Sequence, residues 1–261
     1  MASIRQPAVA GSFYPADPDE LRGVLAAYLD AADVMGEVPK AMIAPHAGYI
    51  YSGPVAASAY ALLAPARGLV QRVVLLGPAH RVAFAGLALP SNDALATPLG
   101  DVPVDTAAFA ALEGLPQVRI MDRAHAREHS LEVHLPFLQE VLGEFHVAPL
   151  VVGDASAAEV GEVLERLWGG PETLVVVSSD LSHYHDYLTA RLLDAATTLA
   201  IEELRFEDLH PRLACGSVPV SGLLWVARRR GLSVRTLDLR NSGDTAGSRD
   251  QVVGYGAYAI N

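Results

Sequence analysis

"TLVVVSSDLSH", residues 173–183, decides how the chain is read. Leu174, Val175, Val176 and Val177 follow one another without the polar alternation of a strand that shows one face to water, so the segment reads as a strand buried on both faces. Such strands belong to a mostly parallel sheet with helices on either side. The run then turns polar and reaches His183. Two other segments behave alike: "AMIAPHAGYIYSG" (41–53) leaves a short strand for His46, and "VVLLGPAH" (73–80) leaves another for His80.

Outward from these three runs, helical and extended patterns alternate. "DPDELRGVLAAYLDAAD" (17–33) has an acidic first turn and an apolar stripe through Leu21, Val24, Leu25, Tyr28 and Leu29, which predicts an amphipathic helix. "SGPVAASAYALLAPA" (52–66) is a second helix, with Ser52 suited to cap it and Pro54 to its first turn. Strands are expected at "RVVLLG", "GLALP" and "HVAPLVV", and helices at "TAAFAALEGL", "SLEVHLPFLQEVLG", "SAAEVGEVLERLWG", 186–204 and 218–230; "TPLGDVPVD" (97–105) reads as a loop. "SVRTLDLR" and "VVGYGAYAI" supply two last strands, which would pair antiparallel and make the sheet mixed. The expected fold is therefore an α/β/α sandwich in one domain over residues 1–261, without repeats, low-complexity tracts or linkers.

Composition narrows the function classes. At 261 residues and 51% hydrophobic, the chain can bury one large core. Its 19 basic and 30 acidic side chains leave a net charge of −11, which opposes the phosphate neutralisation needed for binding nucleic acid. No run approaches the length of a membrane span, and the first twenty residues lack a signal peptide's pattern, so a soluble cytoplasmic protein is expected. One cysteine, Cys215, excludes an internal disulfide and any CxxC motif.

In open α/β sheets, ligands bind beyond the carboxyl ends of the strands. If the three strands run parallel, His46, His80 and His183 emerge on one edge. Each could be an ordinary loop histidine bonded to a backbone carbonyl, but three at equivalent places favour a shared site. Two imidazoles and a carboxylate form an open centre for a divalent metal. Asp244, in the glycine-rich "RNSGDTAGSRD" after a strand, is one candidate for the carboxylate; Asp180, which could instead orient the His183 ring, is the other. His129, Glu128 and Glu132 could line the cleft or form a network at a helix start. His125, His146 and His210 are expected to be exposed. Hydrolase signatures fail on spacing: His129 and His134 are five apart rather than four, and there is no GxSxG elbow and no phosphate-binding GxxxxGK[ST] loop.

The motifs "AVAGSFYP", "PHAGYIYSG", "LLGPAH", "TPLGDVPVD", "EHSLEVHLPFL", "SSDLSH", "CGSVPV" and "SGDTAGSRDQVVGYGAYA", in that order from about residue 5 to the C-terminus, together resemble the Memo family, called AmmeMemoRadiSam system protein B in prokaryotes. The resemblance implies a fold similar to the class III extradiol dioxygenases, which use non-haem iron(II). By motif it implies His46 and His80 as metal-contacting residues and His183 as the acid/base histidine. Animal members have a cysteine as third ligand and bind iron or copper and phosphotyrosine peptides. With "SGDTAG" taken as the corresponding stretch, the third ligand falls to Asp244, and Cys215, in "CGSVPV", stays outside the ligand set. His134 stands where the family pattern has the glutamine of "EVQLPFL". The expectation is a dioxygenase-like redox enzyme with Fe(II), or else Cu or Zn, on His46, His80 and Asp244. His183 would move a proton, while His129 and Glu132 position a small or peptide-borne oxygenated substrate. The rivals are a zinc-type hydrolase on the same ligands and a non-catalytic binder of a peptide or of a radical-SAM protein partner.

Overall fold

The structure, a computed structural model, describes residues 2–261. In chain order its elements are β1 (Ile4–Arg5), α1 (Pro18–Ala31), β2 (Ala41–Ala44), α2 (Tyr49–Tyr60), β3 (Arg72–Pro78), β4 (Leu87–Leu89), β5 (Ala94–Thr97), β6 (Gly100–Pro103), α3 (Thr106–Ala110), β7 (Val118–Ile120), α4 (Asp122–His125) and α5 (His134–Leu142). They continue with β8 (His146–Val152), α6 (Ala157–Leu167), β9 (Thr173–Ser178), β10 (His183–His185), α7 (Tyr187–Glu202), α8 (Ser217–Arg230), β11 (Val234–Asn241) and β12 (Val252–Ile260).

The main sheet runs β10–β12–β2–β9–β3–β8–β4–β7, with β11 on the other side of β12. Its centre, β2–β9–β3–β8, is parallel throughout, while β11, β12 and β10 pair antiparallel and β4 runs antiparallel to β8. The parallel centre is what the continuous apolar runs require. On β3, Val73 and Leu75 enter the core beside α1, α2 and α5, whereas Val74 and Leu76 enter the core beside α6, α7 and α8. Strand side chains alternate, so with both faces covered every position must be apolar. Three layers result, helices on both sides of a mixed sheet.

Local chemistry sets the helix ends. Asp17 accepts from the Asp19 and Glu20 N–H groups at the start of α1, Ser156 and Glu159 form a capping box on α6, and Asp186 caps α7. Two expectations differ. The second helix starts at Tyr49 behind Gly48, so Pro54 lies inside it, where Ser58 Oγ reaches the Pro54 carbonyl. "TPLGDVPVD" is not a loop: β5 and β6 form a hairpin that turns at Gly100 (φ +123°) and pairs with β1 in a second, three-stranded sheet. Its strands are four residues each, and only Leu95, Ala96, Thr97 and Val102 are buried, too short an alternation to stand out from a loop. Among the described residues, no helix is long and apolar enough to cross a membrane.

Because β2, β3, β8 and β9 are parallel, Ala44, Pro78, Val152 and Ser178 all end at one rim. The loops beyond them carry the chemistry.

Candidate metal centre

His46 follows β2 by two residues and is held by β9. Its backbone N–H donates to Asp180 Oδ1 at 2.7 Å, and the Ser179 N–H donates to the Ala44 carbonyl at 3.0 Å, which locks the two strand ends together. The ring is buried, with Nδ1 2.6 Å from Ser178 Oγ. Ser178 Oγ in turn donates to the Ser130 carbonyl at 2.6 Å. A hydroxyl has one proton and a carbonyl can only accept, so Ser178 must accept from His46. His46 therefore carries its proton on Nδ1 and turns the Nε2 lone pair outward. Burial, followed by the neighbouring His80 and His129 rings, pushes its pKa well below 6.5, so the ring is neutral.

His80, two residues past β3, is fixed in the same sense by a carboxylate. Glu128 accepts from the His80 backbone N–H (2.6 Å) and His80 Nδ1 (2.9 Å), and its Oε1 also takes the His129 and Ser130 N–H groups at 2.9 and 3.0 Å. Burial raises the Glu128 pKa, but the bonds from His80 and the backbone outweigh it and bring the carboxyl down to about 2. An ionised carboxylate only accepts, so His80 also protonates at Nδ1 and presents Nε2. A carboxylate behind the ring is the usual device for fixing the orientation of a metal-binding imidazole.

The third group is Cys215. Its Sγ lies 3.4 Å from His46 Nε2 and accepts the Asp180 N–H at 3.3 Å. A ring nitrogen from each of His46 and His80 and this sulfur all lie within 4.8 Å of one another. The approach depends on Gly216: a Cβ there would collide with the Ser178 carbonyl oxygen and the Ser179 side chain. Burial, reinforced by the Asp180 carboxylate, pushes the thiol pKa up, which a cation on the sulfur would reverse. Asp180 closes the cluster, with Oδ2 3.9 Å from His46 Nε2. Burial lifts its carboxyl to about 6 against the hydrogen bond from His46 N.

His80, Glu128 and His129 form a second close group. It suits a metal less well, because both Glu128 oxygens are occupied by N–H donors and His80 Nδ1 carries a proton. His129 packs against both other rings, 4.8 Å from His80 and 5.5 Å from His46, which are 5.1 Å from each other, with Phe13 edge-on at 5.0 Å. Burial pushes it to about 4, so it too is neutral, and its Nδ1 is buried without a hydrogen-bond partner.

The structure thus brings His46, His80 and His129 together. His183, half-buried on β10, sits near enough for its charge to bear on His46 and Asp180. Asp244 does not join them. Its Oδ1 accepts from the Tyr187 hydroxyl at 2.6 Å, and its Oδ2 accepts the Asn241 N–H in a capping box. Glu132 is fully buried, and its oxygens are taken by Arg5 Nη1 (2.6 Å), the Ala8 and Val9 N–H groups and the Tyr14 hydroxyl, so it ties residues 5–14 against the site. His134 is also buried, 2.6 Å from the Tyr60 hydroxyl through Nδ1. Two expectations are corrected. His125 is buried rather than exposed, because its Nε2 bonds the Ala88 carbonyl beneath α4. Cys215, kept out of the ligand set on motif grounds, faces both histidines, because the chain before α8 returns to the β9 end, where the Cys215 N–H bonds the Asp180 carbonyl. The signal for it in the sequence was a lone cysteine before a glycine at a helix start.

A family model described as "Memo-like protein" matches residues 5–259. Among curated relatives, a MEMO1 family protein of Aquifex aeolicus is 36% identical, covering 97% of each chain, and one of Methanopyrus kandleri is 37% identical, covering 98% of each. The crystal structure of the uncharacterized protein JW3007 from Escherichia coli K12 superposes with a TM-score of 0.51 at 13% identity, over 82% of this chain and 98% of that one. This last likeness speaks for the fold alone.

Proposed function

The chain belongs to the Memo-like family, and from that premise we propose that it is a metal-dependent redox enzyme whose ion is held by His46 Nε2, His80 Nε2 and Cys215 Sγ. One observation carries the reading: two imidazoles, each with its proton fixed on Nδ1 by a buried partner, bring a ring nitrogen each to within 4.8 Å of one another and of one thiol. Two nitrogens and a sulfur suit iron(II) and copper as well as zinc, and three protein ligands leave positions open for an oxygenated substrate. When bound, such an ion supplies the one-electron and oxygen chemistry that side chains lack.

The chain's own part is orientation and proton supply. Burial raises the Asp180 carboxyl, and with Oδ2 beside the cluster it is the group placed to carry a proton there. His183, which begins β10 beside the cluster, would serve as the second proton carrier. His129 and Phe13 wall the cluster on the side of residues 5–14, while the His80 ring keeps one side open to solvent, where a substrate would enter. In this reading Asp244 and Glu132 are structural.

The same donor set favours one alternative, a zinc hydrolase in which Asp180 takes a proton from water. Elemental analysis of anaerobically purified protein and of His46→Ala tests the centre. Stoichiometric metal in the first and its loss in the second are expected; equal metal in both overturns the site. Substrate-dependent oxygen uptake supports the redox reading, and turnover unchanged without oxygen and retained with zinc replaces it with the hydrolase.

A further inference from the structure

Beside the cluster, between the carboxyl ends of β3 and β8, lies a cavity of about 640 Å³ that shares Cys215 with it. Its volume is in the range of small-molecule sites. The walls are apolar, with Val82, Phe84, Val152 and Val218 prominent, and Asp154 is the one charged residue among those lining it. No lysine or arginine lines it. Asp154 stands at the open, solvent-exposed side of the cavity, and its carboxylate has no ion-pair partner and accepts no hydrogen bond among the described residues.

The cavity is built rather than incidental. The 84–86 segment is sewn to 153–154 by three backbone bonds, Gly86 N–H to the Asp154 carbonyl (2.8 Å), Gly153 N–H to Gly86 (2.9 Å) and Asp154 N–H to Phe84 (2.8 Å), which pair Ala85 with Asp154 in a parallel bridge. Gly153 permits this, since a Cβ there would run into the Phe84 carbonyl. These bonds hold the backbone of Phe84 and Asp154 at one wall without help from a ligand.

An apolar chamber with one unneutralised carboxylate and no cation selects by charge as well as by shape. A carboxylate or phosphate would be repelled by Asp154, a neutral group would leave its hydrated charge unaffected, and an ammonium would pair with it. The net charge of −11 acts in the same direction at longer range. We propose that this cavity is the substrate-binding chamber of the metal centre, and that it takes a small organic cation: an aryl or alkyl body against Phe84 and Val218, with an ammonium at Asp154. This rests on the proposed function only for the chemistry at Cys215; the chamber itself is independent of which metal is held.

Benzylammonium, benzyl alcohol and benzoate, titrated in turn into the purified metal-containing protein and followed by calorimetry and by NMR shifts of Phe84 and Val218, test it. Benzylammonium should bind about fivefold tighter than benzyl alcohol, the size of one partly exposed charge pair, and benzoate more weakly than either. Asp154→Asn should bring benzylammonium down to the level of benzyl alcohol, and Val218→Trp should remove both. Ala83→Trp, on an exposed part of the wall, serves as a second block should Val218→Trp misfold. Benzoate binding as well as benzylammonium, no shift at Phe84 or Val218, or unchanged affinity in Asp154→Asn overturns the proposal. Metal content measured on the same samples separates the two failures: full metal with no cation preference sinks the chamber alone, and a cation preference in protein that never holds metal sinks the centre alone.

Discussion

The carboxyl-end rim has an inner stretch, at β2, β3 and β9, and an outer one, at β11, and acidic residues do different work in each. Asp180 and Glu128 on the inner stretch are buried and accept from the backbone N–H groups of His46, His80 and His129 and, at Glu128, from the His80 ring. Asp244 on the outer stretch spends its oxygens on Tyr187 and on its own turn. Asp180 and Asp244 each follow a strand in a short polar loop, so in the sequence these two look alike. What separates them is strand order. β12 lies between β11 and β2, and two strand spacings amount to about 9.6 Å, beyond the reach of an aspartate whose loop folds back on itself.

The comparison can be broken by substitution. Glu128→Ala strips a buried acceptor from four N–H donors and should cost about 3 kcal/mol in urea denaturation, with metal binding lost alongside. A loss below about 1 kcal/mol would mean that the inner carboxylates are no more structural than the outer one.

Acid should act on the inner layer next. Burial holds His125 and His129 at about 4 and His134 at about 3, against about 6.5 in the unfolded chain. Between those values the unfolded state binds more protons, so this stability is complete above pH 6.5 and falls as pH drops toward 4. Asp180, raised to about 6, opposes the trend between about pH 6 and 4, but it is one group against three. The melting temperature should drop by several degrees from pH 7 to 4.5, and a flat profile would contradict the buried, neutral histidines.

The smallest effect is expected at the outer corner. Asp244→Ala removes the bond to Tyr187 and one capping bond and should cost about 1 kcal/mol. The far-ultraviolet spectrum should not change.

Much of this layout was legible in the sequence. Runs without alternation at 73–76 and 174–177 specify buried strands, and parallel strands put His46, His80 and His183 on one edge whatever the order of strands. Order itself was not legible, since nothing local says that β12 inserts between β11 and β2. Cys215 was hidden for a related reason: it meets His46 across 169 residues, through a loop that carries no strand pattern of its own. Glu132 read as a cleft residue because it lies three positions from His129, but the partners that saturate it lie in residues 5–14, far away along the chain.

Metal stoichiometry of Cys215→Ala set beside that of Asp244→Ala, both purified anaerobically and confirmed folded, tests the centre most directly. A sulfur ligand predicts that Cys215→Ala loses the metal and Asp244→Ala keeps it. Metal retained without Cys215 and lost without Asp244 would contradict the account.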